Sequence, residues 1–143
     1  MAGHRRPESV LVVVYTQDRQ ALLLKRKAPF EFWQSVTGSL DPDESPLEAA
    51  RRELAEETSL PADNLADPGN TRTFTIDPRW LNRYAEGVTE NREYEFRLEL
   101  ATSCDVVIDT AEHSEWRWVP LEEAVDLVWS WTNKEALQAL IDS

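Results

Sequence analysis

The chain has 143 residues, 41% of them hydrophobic and 29% charged, with a formal net charge of −12. This composition predicts one soluble globular domain over residues 1–143, and its acidity argues against nucleic acid as a partner, because a polyanion is repelled unless a basic patch overrides the average. No apolar run approaches the ~18 residues of a membrane span, no signal-peptide core follows the basic start, and the single Cys104 excludes an internal disulfide, so a cytoplasmic protein off the membrane is expected.

In chain order, residues 9–16 (SVLVVVYT) form a β-branched run that predicts a central strand, with residues 21–25 (ALLLK) as its hairpin partner. Residues 32–38 (FWQSVTG) predict a short strand leading into a turn-rich loop. Ser45, Pro46 and Glu48 make a capping box with proline at the first helical position, so a helix is expected to about Thr58, with Leu47, Ala50 and Leu54 on its buried face. Residues 61–70 read as loop and residues 71–76 (TRTFTI) as a strand. Residues 93–100 (EYEFRLEL) alternate, which predicts Tyr94, Phe96, Leu98 and Leu100 inward and Glu93, Glu95, Arg97 and Glu99 in water. A further strand is expected at residues 115–119 (EWRWV), then helices at residues 120–128 and 133–141. This order implies a mixed sheet packed between helices, an α/β (α+β) sandwich.

One constellation carries chemistry. On the predicted helix Glu53, Glu56 and Glu57 stand at i, i+3 and i+4, which places their carboxylates together. Like charges so spaced destabilise a helix by roughly 0.2–0.5 kcal/mol per pair, so a positive group is expected among them. Oxygen-only ligation suits a hard cation, Mg²⁺ first and Mn²⁺ second. Arg52, one turn from Glu48 and Glu56, is placed to pair with either and hold a carboxylate in position.

The full pattern is Gly38, five residues, Glu44, seven residues, then Arg52-Glu53-Leu54-Ala55-Glu56-Glu57-Thr58-Ser59-Leu60, and it resembles the Nudix box. One position departs from the box, since Ser59 stands where a glycine is expected to end the helix. The resemblance implies a Nudix-type α/β/α sandwich with a mixed β-sheet. It also implies hydrolysis of a diphosphate linkage, with metal on Glu53, Glu56 and Glu57. Besides the box glutamates, Glu112 in the loop before EWRWV is a candidate metal ligand or base, with Glu115 the weaker choice. The catalytic set expected is therefore Glu57, Glu56, Glu112 and Arg52.

Three further stretches, residues 32–39, 83–91 and 129–133, are similar to a bacterial Nudix subfamily that acts on a pterin triphosphate. This implies release of pyrophosphate from 7,8-dihydroneopterin triphosphate to leave the monophosphate, an early step of folate synthesis. By matching position, Arg5, Arg26, Thr37, Phe74, Thr75, Ile76, Asp77 and Ser130 look like that subfamily's substrate contacts. Their chemistry suits a flat ligand bearing a triphosphate: an apolar wall from Phe74 and Ile76, hydroxyls from Thr37 and Ser130, and guanidinium forks for phosphate.

Other Nudix substrates remain open at this point, because the box contacts the diphosphate and not the base. They include dATP, 8-oxo-dGTP, ADP-ribose and dinucleoside polyphosphates. A non-catalytic nucleotide-sensing domain is the remaining class. The intact glutamates, the acidic charge and the lack of room for a helix-turn-helix weigh against it.

Overall fold

The computed structural model describes residues 3–143. Seven strands form one mixed sheet: β1 (Glu8–Thr16), β2 (Gln20–Arg26), β3 (Phe32–Gln34), β4 (Val36–Ser39), β5 (Thr71–Thr75), β6 (Glu90–Leu100) and β7 (His113–Pro120). Three helices complete it, α1 (Pro46–Thr58), α2 (Leu121–Leu127) and α3 (Trp131–Ile141), together with a 3-10 helix at Pro78–Arg83.

The valine-rich β1 is central because both its faces are covered. It runs parallel to β6 from Glu8 opposite Arg92 to Thr16 opposite Leu100, and antiparallel to β4 and β2 on its other edge. Val10, Val12 and Val14 pack with Ala49, Ala50 and Leu54 of α1, while Leu11 and Val13 pack with Leu121, Ala124, Ala136 and Leu137 of α2 and α3. The layers are α1, sheet, then α2 with α3, which is the expected α/β/α arrangement. Among the described residues no helix is long and apolar enough to cross a membrane.

Helix α1 begins as its sequence dictates. The Ser45 hydroxyl accepts from the Glu48 backbone N–H, and the Glu48 carboxylate accepts from the Ser45 N–H. It ends at Ser59, which takes the left-handed conformation (φ 62°, ψ 15°) that a glycine would adopt without strain. The Ser59 N–H donates to Ala55 O and its hydroxyl to Val107 O at 3.2 Å, so local hydrogen bonds hold the strained residue in place.

Four expectations need correction. Residues 32–38 form two strands rather than one, interrupted at Ser35, whose N–H donates to Asn133 Oδ1 at 2.8 Å. Leu47 is 38% exposed, because the close approach of α1 to the sheet is made by small Ala49 and Ala50. The last helix starts at Trp131 with Ser130 as its cap. Most consequentially, Glu93 and Glu95 are buried on the face of β6 that an isolated strand would leave wet, Glu93 against Thr132 of α3 and Glu95 within its ion pairs. Glu95 meets two guanidinium groups there, Arg72 at 2.7 Å and Arg97 at 2.9 Å.

Candidate active site

Two features converge on β4 and the start of β7: a cluster of carboxylates under α1 and a cavity on the α3 side of the sheet. Glu53 and Glu57 differ by about 40° around the helix and both point into the protein, whereas Glu56 is turned toward solvent. The three box glutamates therefore do not share one environment as expected. Glu56 is exposed and reaches Arg52 Nη1 at 3.4 Å.

Arg52 anchors this region. Its guanidinium donates to Glu44 through Nε and Nη2 at 2.9 Å each, to Glu53 Oε2 at 3.0 Å and to Ser39 O at 3.0 Å. The bond from Arg52 is the main cause holding the Glu44 carboxyl below its ordinary range. Glu48 is not a partner, because the capping box engages it. Gly38 explains itself by contact: a Cβ there would stand 2.0 Å from Glu53 Oε2. The box glycine is thus a gap through which the Glu53 carboxylate passes.

Glu57 is 2% exposed, and both its oxygens lack a hydrogen-bond partner among the described residues. Burial, then the neighbouring Glu53 carboxylate, pushes its pKa well up. One ligand atom each from Glu57, Glu112 and His113 lies within 4.8 Å of the others. His113 is buried at the start of β7. Burial, then the nearby Arg26 charge, lowers its pKa to about 4 and keeps the imidazole neutral. The Gln34 amide donates to His113 Nε2 at 3.0 Å, and that nitrogen lies 3.6 Å from Glu57 Oε1. An anionic carboxylate left unpaired in the interior costs several kcal/mol. The donor set fits a divalent cation: two orphaned buried oxygens and adjacent carboxylates, beside an imidazole that adds no positive charge.

The cavity has a volume of about 390 Å³, in the range that takes a small ligand. Arg5, Arg26, Thr37, Phe74, Thr75, Ile76, Asp77 and Ser130 all line it, so the structure gathers every expected substrate contact into one place. Several of them also have structural duties. Thr37 Oγ1 donates to Val10 O at 2.8 Å, Ser130 caps α3, and Asp77 caps the 3-10 helix, where Arg79 draws its carboxyl down to about 2. The cavity adjoins the carboxylates through shared residues. Gln34 lines it and bonds His113, Gly38 lines it and borders Glu53, and the charge of Arg26 bears on Glu57 and His113.

Sequence reasoning missed part of this site. Arg83 stands close enough to Arg5 and Arg26 that burial, then those two charges, lower its pKa, and the Arg5 N–H donates to Arg83 O at 2.7 Å. A local basic group therefore exists within an acidic chain. Trp80, Trp129 and Phe32 form an aromatic cluster with ring centroids 5.3–6.1 Å apart at the cavity wall. Trp129 was signalled by its place beside Ser130, whereas nothing in the sequence singled out Trp80. His113 was signalled by its place beside Glu112. Glu115 lies apart from the cluster, 3.5 Å from Lys25.

Comparison with known proteins agrees with this geometry. The NUDIX domain model matches residues 5–140. The chain is 37% identical to the dihydroneopterin triphosphate diphosphatase of Escherichia coli K12, covering 96% of this chain and 94% of that one. It is 36% identical to the Haemophilus influenzae protein of the same name, over 96% and 89% of the two chains. The solved structure of the E. coli dihydroneopterin triphosphate pyrophosphohydrolase superposes with a TM-score of 0.92 at 37% identity, covering 99% of this chain and all of that one. By box, fold and these similarities, the chain belongs to the Nudix family.

Proposed function

We propose that this chain is a Mg²⁺-dependent pyrophosphohydrolase of the cytoplasm that converts 7,8-dihydroneopterin triphosphate to the monophosphate and pyrophosphate, a step toward folate. The observation that carries the reading is the orphaned Glu57 carboxylate beside Glu112, adjoining a cavity with an aromatic wall. The similarity to the E. coli enzyme over nearly its full length supports the choice of substrate.

Glu53, Glu57 and Glu112 would hold the ion, with Glu56 at the exposed rim and the neutral His113 packed beside Glu57. When bound, Mg²⁺ (or Mn²⁺) supplies Lewis-acid polarisation and neutralises charge on the diphosphate. The protein's own groups do the rest. Arg5, Arg26 and Arg83 draw the triphosphate in as forked donors. Arg52 and the gap at Gly38 fix where Glu53 stands. Water adds its oxygen to one phosphorus as the bridging P–O bond breaks, and its proton passes to the Glu112 carboxylate, which is exposed on its turn.

The test is hydrolysis with Mg²⁺ and with EDTA, followed by chromatography of the products, across dihydroneopterin triphosphate, dATP, 8-oxo-dGTP, ADP-ribose and diadenosine tetraphosphate, with pyrophosphate the expected by-product of the triphosphates. Mg²⁺-dependent preference for the pterin compound is expected. Preference for another compound would retain the chemistry and discard the substrate.

A further inference from the structure

The cavity floor is laid by neighbouring strands: Phe74 on β5, Asn91 and Glu93 on β6, Ser9 on β1 and Thr37 on β4. Phe74 stands opposite Asn91 in the β5–β6 register. Glu93 is 6% exposed and Asn91 1%, yet Glu93 Oε1 and Asn91 Oδ1 have no hydrogen-bond partner among the described residues. Asn91 is oriented by its amide, which donates to Ser9 Oγ at 2.8 Å and leaves the carbonyl oxygen free. The Thr132 hydroxyl lies against Glu93. Arg72, the nearest positive charge, directs its donors to Glu95 and Glu135 instead. Burial pushes the Glu93 carboxyl up to about 7.

A buried acceptor with no donor costs stability, and such groups persist where a ligand completes them. Glu95, two residues along the same face, has its arginines. Glu93 has only the Thr132 hydroxyl and the cavity. Two acceptors beneath an aromatic wall call for a flat ligand that presents adjacent N–H donors. A carboxylate pairs best with two parallel donors, the arrangement offered by a ring N–H next to an exocyclic amino group.

We propose that Glu93, assisted by Asn91 Oδ1, is the specificity-determining residue of the cavity, accepting hydrogen bonds from the 2-amino-4-oxo edge shared by pterin and guanine rings. Adenine lacks that donor pair, and hypoxanthine lacks the amino group. The inference rests on the function proposed above and sharpens it, because it names the edge of the ring that is bound.

The experiment compares wild type with Glu93→Gln on dihydroneopterin triphosphate, dGTP, dITP and dATP, measuring kcat and KM separately. It also measures binding of phosphate-free neopterin to EDTA-treated protein by tryptophan fluorescence, with circular dichroism to verify folding. Wild type is expected to favour dGTP over dITP by roughly 10- to 100-fold, through KM, as befits one hydrogen bond to a charged group. Glu93→Gln, still folded, is expected to bring that ratio close to one, through KM for dGTP, and to lose neopterin binding. A variant that keeps the wild-type preference overturns the role of Glu93 while leaving pterin triphosphate hydrolysis standing. Wild type that prefers dGTP to the pterin compound, with the preference lost in the variant, keeps the inference and discards the pterin substrate. Preference for dATP overturns both.

Discussion

Glu57 and Glu93 are both buried glutamates with unpartnered oxygens, but the company they keep is opposite. Around Glu57 stand Glu53, Glu112 and a neutral His113, so carboxylates gather and the proposed completing partner is a cation. Around Glu93 stand an amide oxygen, a hydroxyl and aromatic rings, so neutral hydrogen-bond donors complete it. Glu95 shows the saturated case, with Arg72 and Arg97 supplied by the protein itself. Whether a buried acid serves structure, metal or ring is decided by what its neighbours leave undone.

That contrast can be broken by substitution. Glu57→Gln removes the charge without changing shape, so turnover should fall by ~10³-fold as transition-state charge stabilisation is lost, while the metal-free fold becomes no less stable. Steady-state kinetics beside chemical denaturation checks this, and wild-type turnover would refute the assignment.

Glu93→Gln should act on stability through pH. Between its ordinary 4.5 and about 7, folded Glu93 holds a proton that the unfolded chain has lost, so this group's contribution to stability falls as pH rises across that window. At about 1.4 kcal/mol for each pH unit, the variant should be more stable than wild type by up to about 3 kcal/mol at pH 8 and nearly equal at pH 4.5. The groups that bear on it, Thr132, Arg72 and Glu95, are unchanged in the variant. Denaturant unfolding at both values measures the difference, and an equal effect at both would remove the buried-charge account.

Gly38→Ala would drive a methyl into the Glu53 carboxylate. Because a flexible side chain can swing aside, the fold should survive while metal affinity drops roughly 10- to 100-fold, as measured by Mn²⁺ titration. Ser59→Gly lies outside both regions. It relieves the left-handed strain but forfeits the bond to Val107 O, so stability should rise by less than ~1 kcal/mol with no change in kinetics.

Much of this was legible from local signals. The valine run predicts β1, and the Ser45–Glu48 box predicts the start of α1, because both are determined by residues within one turn or strand. The residues from Arg5 to Ser130 expected to contact substrate were placed by resemblance, and all of them line one cavity. Glu93 was not legible. Alternation along β6 says which residues share a face, but only the covering by α3 decides whether that face is wet. Arg83 and His113 belong to the site through contacts with segments distant in the chain, which spacing along the sequence does not encode.

Strand β6 carries one more consequence. Tyr94, Phe96 and Leu98 pack with α1, while the alternating positions Asn91 and Glu93 floor the cavity. A period of two therefore separates inheritance of the fold from choice of ligand along a single stretch of chain. A single-codon change at residue 91 or 93 can retarget the cavity while the hydrophobic core and helix α1 pass unaltered to the descendant. On this scaffold, new substrate preferences can arise without passing through an unstable intermediate.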